Sequence, residues 1–534
     1  MVSKAGRNSP VVSRRVFLTR ASRAVAALGL PGAALATGRS SGPWVRSVTR
    51  QPRFAEHPFG LGVASGHPLD DGFVLWTRLF MPGHRLNPEP VDVHWEVASD
   101  ERMQHTVSQG VATARSKEAH SLHVELFGLE PNRPYWYRFR AGSEESEVGR
   151  TRTAPGLDQS IDRLRFAFAS CQHYEQGYFN SYAHFDDEDL DLVVHLGDYI
   201  YESSFGVEHV RKHGAPEPVT LDDYRARYAT YKGDPDLKRA HASCPWLVTW
   251  DDHEVDNDYA GLVSEQLDPE AWFLARRRAA YQAYYEHMPL RRGARPFAGH
   301  MRLHADVSFG ALASFFVLDD RQYRTQQVCP VAGEGGSNVV ASCDERTDPQ
   351  QTLLGAEQES WLASRFARSH ARYNILAQQT LMAQRDRTPG EGRSFWTDGW
   401  DGYPIARRRL LDSLTQHQVS NPIAIGGDVH MYWAADLKRD FDDEHAAVIG
   451  SELVGTSITS HSNVTDGAIA SSLSDNPHLK YGHAAHRGYT VVELTERAAL
   501  AQFRAVDTVK RANSPVRTLA SFAIEDGKPG IVKG

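Results

Sequence analysis

Between residues 56 and 156, apolar and polar positions alternate in short runs. These runs are separated by turn-forming residues and lie at 72–78, 91–97, 121–126 and 135–140. Alternation with a period of two is typical of strands that bury only one face. Several such strands in succession predict a small N-terminal β-sandwich domain over residues 56–156, with its boundary at Pro155-Gly156.

A different pattern follows this boundary. Short, mainly apolar runs without alternation predict strands buried on both faces, and they lie at 164–169, 190–196, 246–250, 313–318, 373–377 and 422–425. Helices are predicted at 178–185, 269–288 and 358–369. Buried strands that alternate with helices predict an α/β catalytic domain over residues 157–534. No regular element is predicted after Val491.

Four of the apolar runs end in residues that carry oxygen, sulfur or nitrogen donors. The motifs are Ser170-Cys171-Gln172-His173, Gly197-Asp198-Tyr199-Ile200-Tyr201-Glu202, Asp251-Asp252-His253-Glu254 with Asp256, Asn257 and Asp258 beyond it, and Gly426-Gly427-Asp428-Val429-His430. Ligands of open α/β sheets bind at the carboxyl ends of strands, so these motifs predict one shared site. A metal cluster in such a site would neutralise a phosphate ester and lower the pKa of bound water. Asp198 is the predicted bridging carboxylate, because Gly197 before it lets the backbone approach closely.

Each of these residues also has a purely structural interpretation. Taken alone, Cys171 is typical of a buried core cysteine, Tyr201 of a packed tyrosine and His430 of a core histidine. The acidic run around Asp251 and Asp252 is typical of a solvated loop. Their common position at strand ends favours metal ligation, and at least one of the two aspartates is predicted to be a ligand.

Composition narrows the class of protein further. The 534 residues are 41% hydrophobic and 24% charged, with a net charge of −8, which is typical of a globular protein. The balance gives no nucleic-acid-binding footprint, since nucleic-acid binders carry clustered positive charge. No stretch is apolar enough to predict a transmembrane segment. An anionic substrate would need local positive charge, which metal ions could supply.

The N-terminus is predicted to be an export signal. Ser13-Arg14-Arg15-Val16-Phe17-Leu18 precedes a weakly apolar run that ends at Ala34-Leu35-Ala36, and the paired arginines resemble a twin-arginine signal. Residues 1–36 are therefore predicted to be a signal peptide for the twin-arginine export machinery, and residues 37–55 a linker. This predicts a periplasmic or extracellular protein; the alternative is a basic, disordered N-terminal arm.

The cysteines fit an exported protein. Cys329 and Cys343 flank a short glycine-containing loop, and a disulfide between them is favoured outside the cytoplasm. Cys244 is predicted to be a small buried apolar residue.

The motifs resemble those of the alkaline phosphatase D (PhoD-like metallophosphoesterase) family. The resemblance is carried by Leu196–Glu202, Trp250–Asn257, Leu318–Arg324, Gln358–Leu362, Trp400–Pro404 and Gly426–Trp433, in that order. It implies a calcineurin-like four-layer metallophosphoesterase sandwich over residues 157–534, preceded by the N-terminal β-sandwich. It also implies a site with ferric iron (Fe3+) and calcium (Ca2+), and thiolate or phenolate donors suit the first while carboxylates suit the second.

The resemblance also implies residue roles. Cys171, Asp198 and Tyr201 match the iron ligands, with Asp198 bridging to calcium, and the cluster would be completed by Asp251, Asp252, Asn257, Asp428 and His430. His253 is expected to protonate the leaving oxygen or to stabilise the transition state. Two alternatives stay open for Arg321: it clamps a phosphate oxygen, or it anchors Asp319 and Asp320.

The sequence thus predicts a secreted phosphoesterase that hydrolyses phosphate monoesters or diesters with metal-activated water. A related alternative is a phospholipase D-like phosphodiesterase that acts on phospholipids. An alternative from another class is a non-catalytic metal- or phosphate-binding surface protein.

Overall fold

A computed structural model describes residues 52–84 and 86–534. The predicted signal peptide and all but the end of the predicted linker lie outside these residues. The N-terminal part of the described chain contains β1 Val63–Leu69, β2 Gly72–Arg78, β3 Val91–Ala98, β4 Thr106–Ala114, β5 Ser121–Leu126, β6 Pro134–Ala141, β7 Glu144–Glu145 and β8 Gly149–Arg152. The strands predicted at 72–78, 91–97, 121–126 and 135–140 are confirmed as β2, β3, β5 and β6.

These N-terminal strands belong to two sheets. β4-β3-β6-β7 form one sheet, with β8 also paired to β6. β1, β2 and β5 are instead the end of a larger sheet, which they join where Gly66 of β1 pairs with Trp246. Side chains from both sheets, including Leu75, Val93 and Phe139, pack in one hydrophobic cluster. The N-terminal strands therefore enclose a core and also extend the sheet of the following region.

The rest of the described chain is mixed α/β. Its strands are β9 Arg163–Ala169, β10 Leu192–Leu196, β11 Trp246–Thr249, β12 Ala305–Phe309, β13 Ala313–Val317, β14 Val339–Val340, β15 Tyr373–Ala377, β16 Phe395–Trp396, β17 Pro422–Gly426, β18 Tyr432–Lys438, β19 Val448–Val454, β20 Leu479–His483, β21 Arg487–Thr495, β22 Ala498–Val506, β23 Val516–Glu525 and β24 Val532–Lys533. Its α-helices are α1 Leu221–Lys232, α2 Pro235–Ser243, α3 Glu270–His287, α4 Gly355–Phe366, α5 Pro404–Gln416 and α6 Asp466–Asp475.

The predicted buried strands are confirmed as β9, β10, β11, β13, β15 and β17, and two of the predicted helices as α3 and α4. The helix predicted at 178–185 is instead a 3-10 helix at Asn180–Glu188. The region after Val491, for which no element was predicted, contains antiparallel strands β21 to β24. β21 pairs with β9, so the end of the chain completes the sheet that carries the first donor motif.

Two large sheets face each other. The first has the order β24-β23-β22-β21-β9-β10-β11-β1-β2-β5, and the second has the order β12-β13-β15-β17-β19-β18-β20. Apolar side chains such as Val194 of the first sheet and Phe315 and Ile425 of the second share one hydrophobic cluster. Val193, the neighbour of Val194, belongs to a different cluster, because successive side chains of a strand point to opposite faces. All five residues of β10 are buried, because both of its faces are covered.

Helices cover the outer faces of the two sheets. Tyr228 of α1 and Tyr281 of α3 pack in the cluster that contains Val193. Leu362 of α4 and Leu411 of α5 pack in a third cluster with residues of the second sheet. The fold is therefore a mixed α/β, sheet-rich fold, as expected.

Two further expectations concern cross-links and membranes. Cys329 and Cys343 form a disulfide, as predicted, and Cys244 is buried. Among residues 52–84 and 86–534, no helix has both the length and the apolar character needed to span a bilayer.

Candidate metal centre

The carboxyl ends of β9, β10, β11 and β17 carry the four donor motifs, and the structure brings residues of all four together. Candidate ligand atoms of Cys171, Asp198 and His430 lie within 4.8 Å of one another. Those of Asp198, Asp252 and His253 form a second group with the same spacing. Asp198 is common to both groups, which is the position expected of a bridging carboxylate.

Several residues at these strand ends have a left-handed backbone. The φ angle is +58° at Cys171, +56° at Asp198, +63° at Asp428 and +54° at His430. Residues other than glycine rarely adopt this region, which costs about 1–3 kcal/mol each. The surrounding fold holds the turns in place: the N–H of Cys171, for example, donates to the carbonyl oxygen of Gly197 at 3.2 Å. Strain of this kind clusters at functional sites.

Gly197 allows the turn after β10 to lie directly against the turn after β11. Its φ is +105°, and a Cβ atom at this position would lie 2.5 Å from the Cβ and the backbone nitrogen of Asp251. The carboxylate of Glu254 then joins the two turns, because it accepts backbone N–H groups from Asp198 at 3.1 Å and Asp251 at 2.9 Å. Glu254 is therefore a structural residue of the site, although it belongs to one of the donor motifs.

Tyr201 contacts two of the predicted ligands. Its hydroxyl donates to Oδ2 of Asp198 at 2.8 Å and lies 3.2 Å from Nε2 of His430. The hydroxyl of Ser460 lies 2.7 Å from the same phenol oxygen and 2.8 Å from the carbonyl oxygen of Cys171. The segment after β19 thus supports the Cys171 end of the site.

The acidic run after β11 is not a solvated loop. Asp251, Asp252, Asp256 and Asp258 are between 1% and 8% exposed. Carboxylate oxygens of Asp252, Asp258 and Asp398 form a third group in which all lie within 4.8 Å of one another. The backbone N–H of Asp258 also donates to Oδ2 of Asp252 at 2.7 Å.

Arg321 is one of three buried arginines among the described residues of this acidic region. Arg324 pairs with Asp398 at 3.1 Å, and Arg276 pairs with Asp256 at 3.0 Å. The buried guanidinium of Arg321 pairs with Asp251 through Nε and with Asp398 at 2.8 Å, and it lies 3.7 Å from Asp252. The alternative in which the guanidinium anchors Asp319 and Asp320 is wrong, since the contact with Asp319 is made by the backbone N–H of Arg321. Direct contact between Arg321 and a phosphate stays a prediction.

Both histidines of the site are oriented by acceptors. Nδ1 of His430 lies 2.8 Å from the carbonyl oxygen of His461, which can only accept, so Nδ1 donates and Nε2 faces Tyr201. Nδ1 of His253 lies 2.7 Å from Oε2 of Glu202. This leaves Nε2 of His253 on the side of the ring away from Glu202.

Asn257 differs from the other predicted ligands in its contacts. It is half-buried, and its side-chain amide donates to Oε1 of Glu265 at 3.1 Å. Its role as a ligand therefore stays a prediction with no support from side-chain contacts within residues 52–84 and 86–534.

Positive charge is unevenly distributed in the site: attraction to Arg321 and His253 outweighs burial and lowers the pKa of Asp252, but the neighbouring carboxylates lack compensation to this extent. Burial raises the pKa of Asp198 well above its usual range, and repulsion from Asp252 and Asp251 adds to this. Burial likewise raises the pKa of Asp251 to about 6, and burial and repulsion from Asp398 raise the pKa of Asp258 to about 7. Bound cations would reverse these upward shifts, because they favour the charged carboxylates.

The donor set fits such cations. Oδ1 of Asp198 and Oδ2 of Asp428 are buried and have no hydrogen-bond partner among the described residues. Burial also raises the pKa of the Cys171 thiol, and a metal ion would favour the thiolate. Sulfur, phenol and imidazole donors gather around Asp198, whereas oxygen donors gather around Asp252.

A cavity of about 340 Å³ adjoins the site. Its lining residues include Asp428, His430, Trp396 and Trp400. Part of the aromatic stretch from Phe395 to Tyr403 therefore lines the cavity beside the predicted ligands. Phe395 itself is buried and packs under the guanidinium of Arg346, at 3.9 Å from the ring centre.

The sequence reasoning missed Asp398 and assigned no role to Asp258. Asp398 lies after the two-residue strand β16 and carries no strand-end signal. Its only signal in the sequence is its place beside the Trp400–Pro404 motif. Asp258 lies in the acidic run that follows β11, which is visible in the sequence. Its place beside Asp252 and Asp398 could not be predicted.

Known proteins resemble this chain along most of its length. The family described as "PhoD-like phosphatase" matches residues 166–503, and "PhoD-like phosphatase, N-terminal domain" matches residues 45–155. Alkaline phosphatase D of Bacillus subtilis (strain 168) is 42% identical over 532 residues, which cover 97% of this chain and 89% of the relative. A solved structure of PhoD superposes with a TM-score of 0.86 at 43% identity and covers 90% of this chain and 93% of that chain.

Together with the fold and the clustered donors, these similarities define the class: the protein is a phosphatase. The chain belongs to the PhoD-like phosphatase family. The resemblance recognised in the motifs is thereby confirmed.

Proposed function

We propose that this phosphatase is a metal-dependent phosphoesterase that hydrolyses phosphate monoesters, diesters or both. The observation that carries the proposal is the group formed by Cys171, Asp198 and His430, whose ligand atoms lie within 4.8 Å of one another. One oxygen of Asp198 in this group is buried without a hydrogen-bond partner among the described residues. A buried carboxylate with a free oxygen is costly unless a cation or proton satisfies it.

Iron is proposed at Cys171, Asp198 and Tyr201, and calcium on the side of Asp252. Asp251, Asn257, Asp428 and His430 are proposed to complete the cluster, as the family resemblance implies. Such ions, when bound, supply positive charge to the phosphate and acidify water.

The protein's own residues would position and protonate the ester. His253 is held by Glu202 at 2.7 Å and lies in the same group as Asp198 and Asp252. Attraction to Glu202, Asp198 and Asp252 outweighs burial and raises the pKa of His253 well above its usual range. Cations bound at Asp198 and Asp252 would offset the attraction of these two carboxylates, whereas Glu202, which is not a proposed ligand, would keep its own. A protonated His253 can give its Nε2 proton to the leaving oxygen. Arg321 acts as a positioning residue in this scheme, because it holds Asp251 and Asp398 in place.

The test is the Asp198→Ala variant. We expect hydrolysis of 4-nitrophenyl phosphate and of bis(4-nitrophenyl) phosphate to fall to background, and the metal content per chain, measured by elemental analysis, to fall with it. Cys171→Ser should lose iron preferentially while calcium is retained, because a hydroxyl is a poorer donor than a thiolate for iron.

Asp187→Ala is the matched control, since Asp187 is an exposed aspartate away from the strand ends. It should keep wild-type activity and metal content. Turnover by Asp198→Ala at the level of this control would refute the assignment of Asp198. The elemental analysis also separates iron plus calcium from zinc or manganese.

A phospholipase D-like activity is the alternative within the same chemistry. Turnover of a water-soluble monoester should be compared with turnover of a phosphatidylcholine dispersion. Faster turnover of the phosphatidylcholine dispersion would favour the phospholipase D-like activity over hydrolysis of soluble monoesters.

The finer architecture and the location are also proposals. The two facing sheets with helices outside each are the arrangement expected of a calcineurin-like four-layer sandwich. The N-terminal core between two sheets supports the β-sandwich proposed for residues 56–156. Export by the twin-arginine route to the periplasm or the exterior is proposed from the signal motif, and the disulfide is consistent with an oxidising compartment.

A further inference from the structure

The cavity beside the metal centre is lined by two arginines that have no carboxylate partner among the described residues. Arg385 is half-buried and Arg387 is exposed, and both line the cavity that reaches Asp428 and His430. The Arg385 guanidinium contacts Oγ of Ser472 at 3.3 Å and Sδ of Met431 at 3.8 Å, and it lies 4.9 Å from the ring centre of Trp433. None of these three groups carries a net charge.

Two nearby arginines, Arg393 and Arg407, differ in this respect. Arg393 pairs with Asp442 at 2.7 Å, and Arg407 pairs with Asp401 at 2.7 Å. The chain has more acidic than basic residues, 67 against 59, so carboxylates are not scarce. Two arginines that lack such partners in a concave site indicate an anion from outside the chain.

The other charged residues that line the cavity do not neutralise these two arginines. Among the described residues, two carboxylates line the cavity, Asp401 and Asp428. Asp401 accepts from Arg407 and from the backbone N–H of Arg385 at 2.9 Å, and Asp428 is one of the proposed metal ligands. Burial and repulsion from Arg387 lower the pKa of Arg385 to about 10, which leaves it charged at neutral pH. The uncharged lining is largely apolar and includes Leu381, Trp396, Trp400, Val429, Met431 and Val464.

We propose that this cavity binds the alcohol part of the ester, and that Arg385 and Arg387 select esters whose alcohol part carries a second anionic group, either a carboxylate or a phosphate. The proposal rests on the proposed phosphoesterase function, because the cavity is lined by Asp428 and His430, two of the proposed metal ligands. The planar guanidinium forms paired hydrogen bonds with both kinds of anion, and the apolar wall would contact the carbon skeleton. Arg385 and Arg387 are specificity-determining residues in this scheme.

The experiment compares phenyl phosphate with 4-carboxyphenyl phosphate. For each variant the quantity of interest is the ratio of the two kcat/KM values, 4-carboxyphenyl over phenyl. The chemical reactivities of the two esters are the same for every variant, so a change in the ratio reports the contact alone. We expect Arg387→Gln and Arg385→Gln each to lower the ratio by about tenfold, mainly through KM, because a hydrogen bond to a charged group is lost.

Arg393→Gln is the matched control, since Arg393 is a nearby arginine that is paired and does not line the cavity. Its ratio should equal that of the wild type. Hydroquinone bisphosphate distinguishes the two kinds of anion: the ester that loses more kcat/KM in Arg387→Gln carries the preferred group.

Binding gives a second readout that does not depend on turnover. By calorimetry on the metal-loaded protein, 4-hydroxybenzoate should bind more tightly than phenol, and Arg387→Gln should remove this difference. Equal ratios in the wild type, both cavity variants and Arg393→Gln would overturn the inference while leaving the phosphoesterase proposal intact. Failure of the wild type to hydrolyse phenyl phosphate and the nitrophenyl esters would instead overturn the phosphoesterase proposal.

Discussion

At the residue scale, the donor side chains depend on turns that their own residue types do not favour. Cys171, Asp198, Asp428 and His430 all have positive φ angles, and the turn at Asp198 is possible only because Gly197 has no side chain. The positions of the donor side chains therefore depend on how these turns pack against one another.

Gly197→Ala tests this dependence. A methyl group there would lie 2.5 Å from the backbone nitrogen of Asp251, so we expect a loss of several kcal/mol in the free energy of unfolding, together with loss of activity. Gly214→Ala is the matched control: Gly214 also has a positive φ, at +71°, but no atom lies within 4 Å of the added methyl group.

Gly214→Ala should lower the free energy of unfolding only by the cost of a positive φ angle, about 1–2 kcal/mol, and it should keep activity. Thermal and urea unfolding of both variants, with phosphatase assays, would measure the difference. Equal losses in the two variants would show that the contact with Asp251 is unimportant.

The sequence could predict the donor residues because they follow apolar strands. Cys171, Asp198 and Asp252 follow parallel strands of the first sheet, which place their ends at one edge. His430 follows β17 of the second sheet, so its place in the site also depends on how the two sheets face each other. Asp398 could not be found in this way, because it reaches the site from a loop. The partners of Arg321 could not be found either, because Asp251 and Asp398 are far from it in sequence and only the fold joins them.

At the element scale, strand predictions succeeded where the hydrophobic pattern was simple. β10 and β17 are mainly apolar, are buried on both faces and stand out in the sequence. β22 and β23 bury only part of their residues, and their pattern gave no prediction. Pairing within the sheet, which involves distant residues, is what makes these segments strands.

The disulfide loop is an element that borders the site. Cys329 and Cys343 enclose a segment whose Ser337 N–H donates to Oδ2 of Asp258 at 2.9 Å, and whose Asn338 N–H donates to Oγ1 of Thr397 at 2.9 Å. The loop therefore supports Asp258 and the residue before Asp398.

Replacing both cysteines by serine should lower the free energy of unfolding by about 3 kcal/mol, the value expected for a loop of this length. Calorimetric or denaturant unfolding would measure the loss. The wild type in a thiol reductant should show the same loss, whereas the Cys329→Ser/Cys343→Ser variant should not respond to the reductant. A variant as stable as the oxidised wild type would contradict the prediction.

At the scale of the whole molecule, the N-terminal strands are part of the larger sheet. β1 pairs with β11, and the indole N–H of Trp76 in β2 donates to the carbonyl oxygen of Glu286 in α3 at 3.1 Å. Removal of these strands would expose an edge of the sheet and an apolar face.

A chain of residues 157–534 should therefore aggregate or unfold at a lower temperature, although the sequence pattern predicts a separate domain there. A chain of residues 52–534 is the control, because it retains the described N-terminal strands. Size-exclusion chromatography and thermal unfolding would compare the two. A monomeric 157–534 chain with the thermal stability of the control would show that the N-terminal strands are dispensable.

The Cys329–Cys343 bond also bears on the order of maturation. Under the proposed export route, the protein folds in a reducing compartment, where both sulfur atoms remain thiols. The bond would then close only after translocation, when Asp258 and Asp398 already have their folded neighbours. The loop between Cys329 and Cys343, which borders the site, would then be cross-linked last. The protein would reach its full stability only after export.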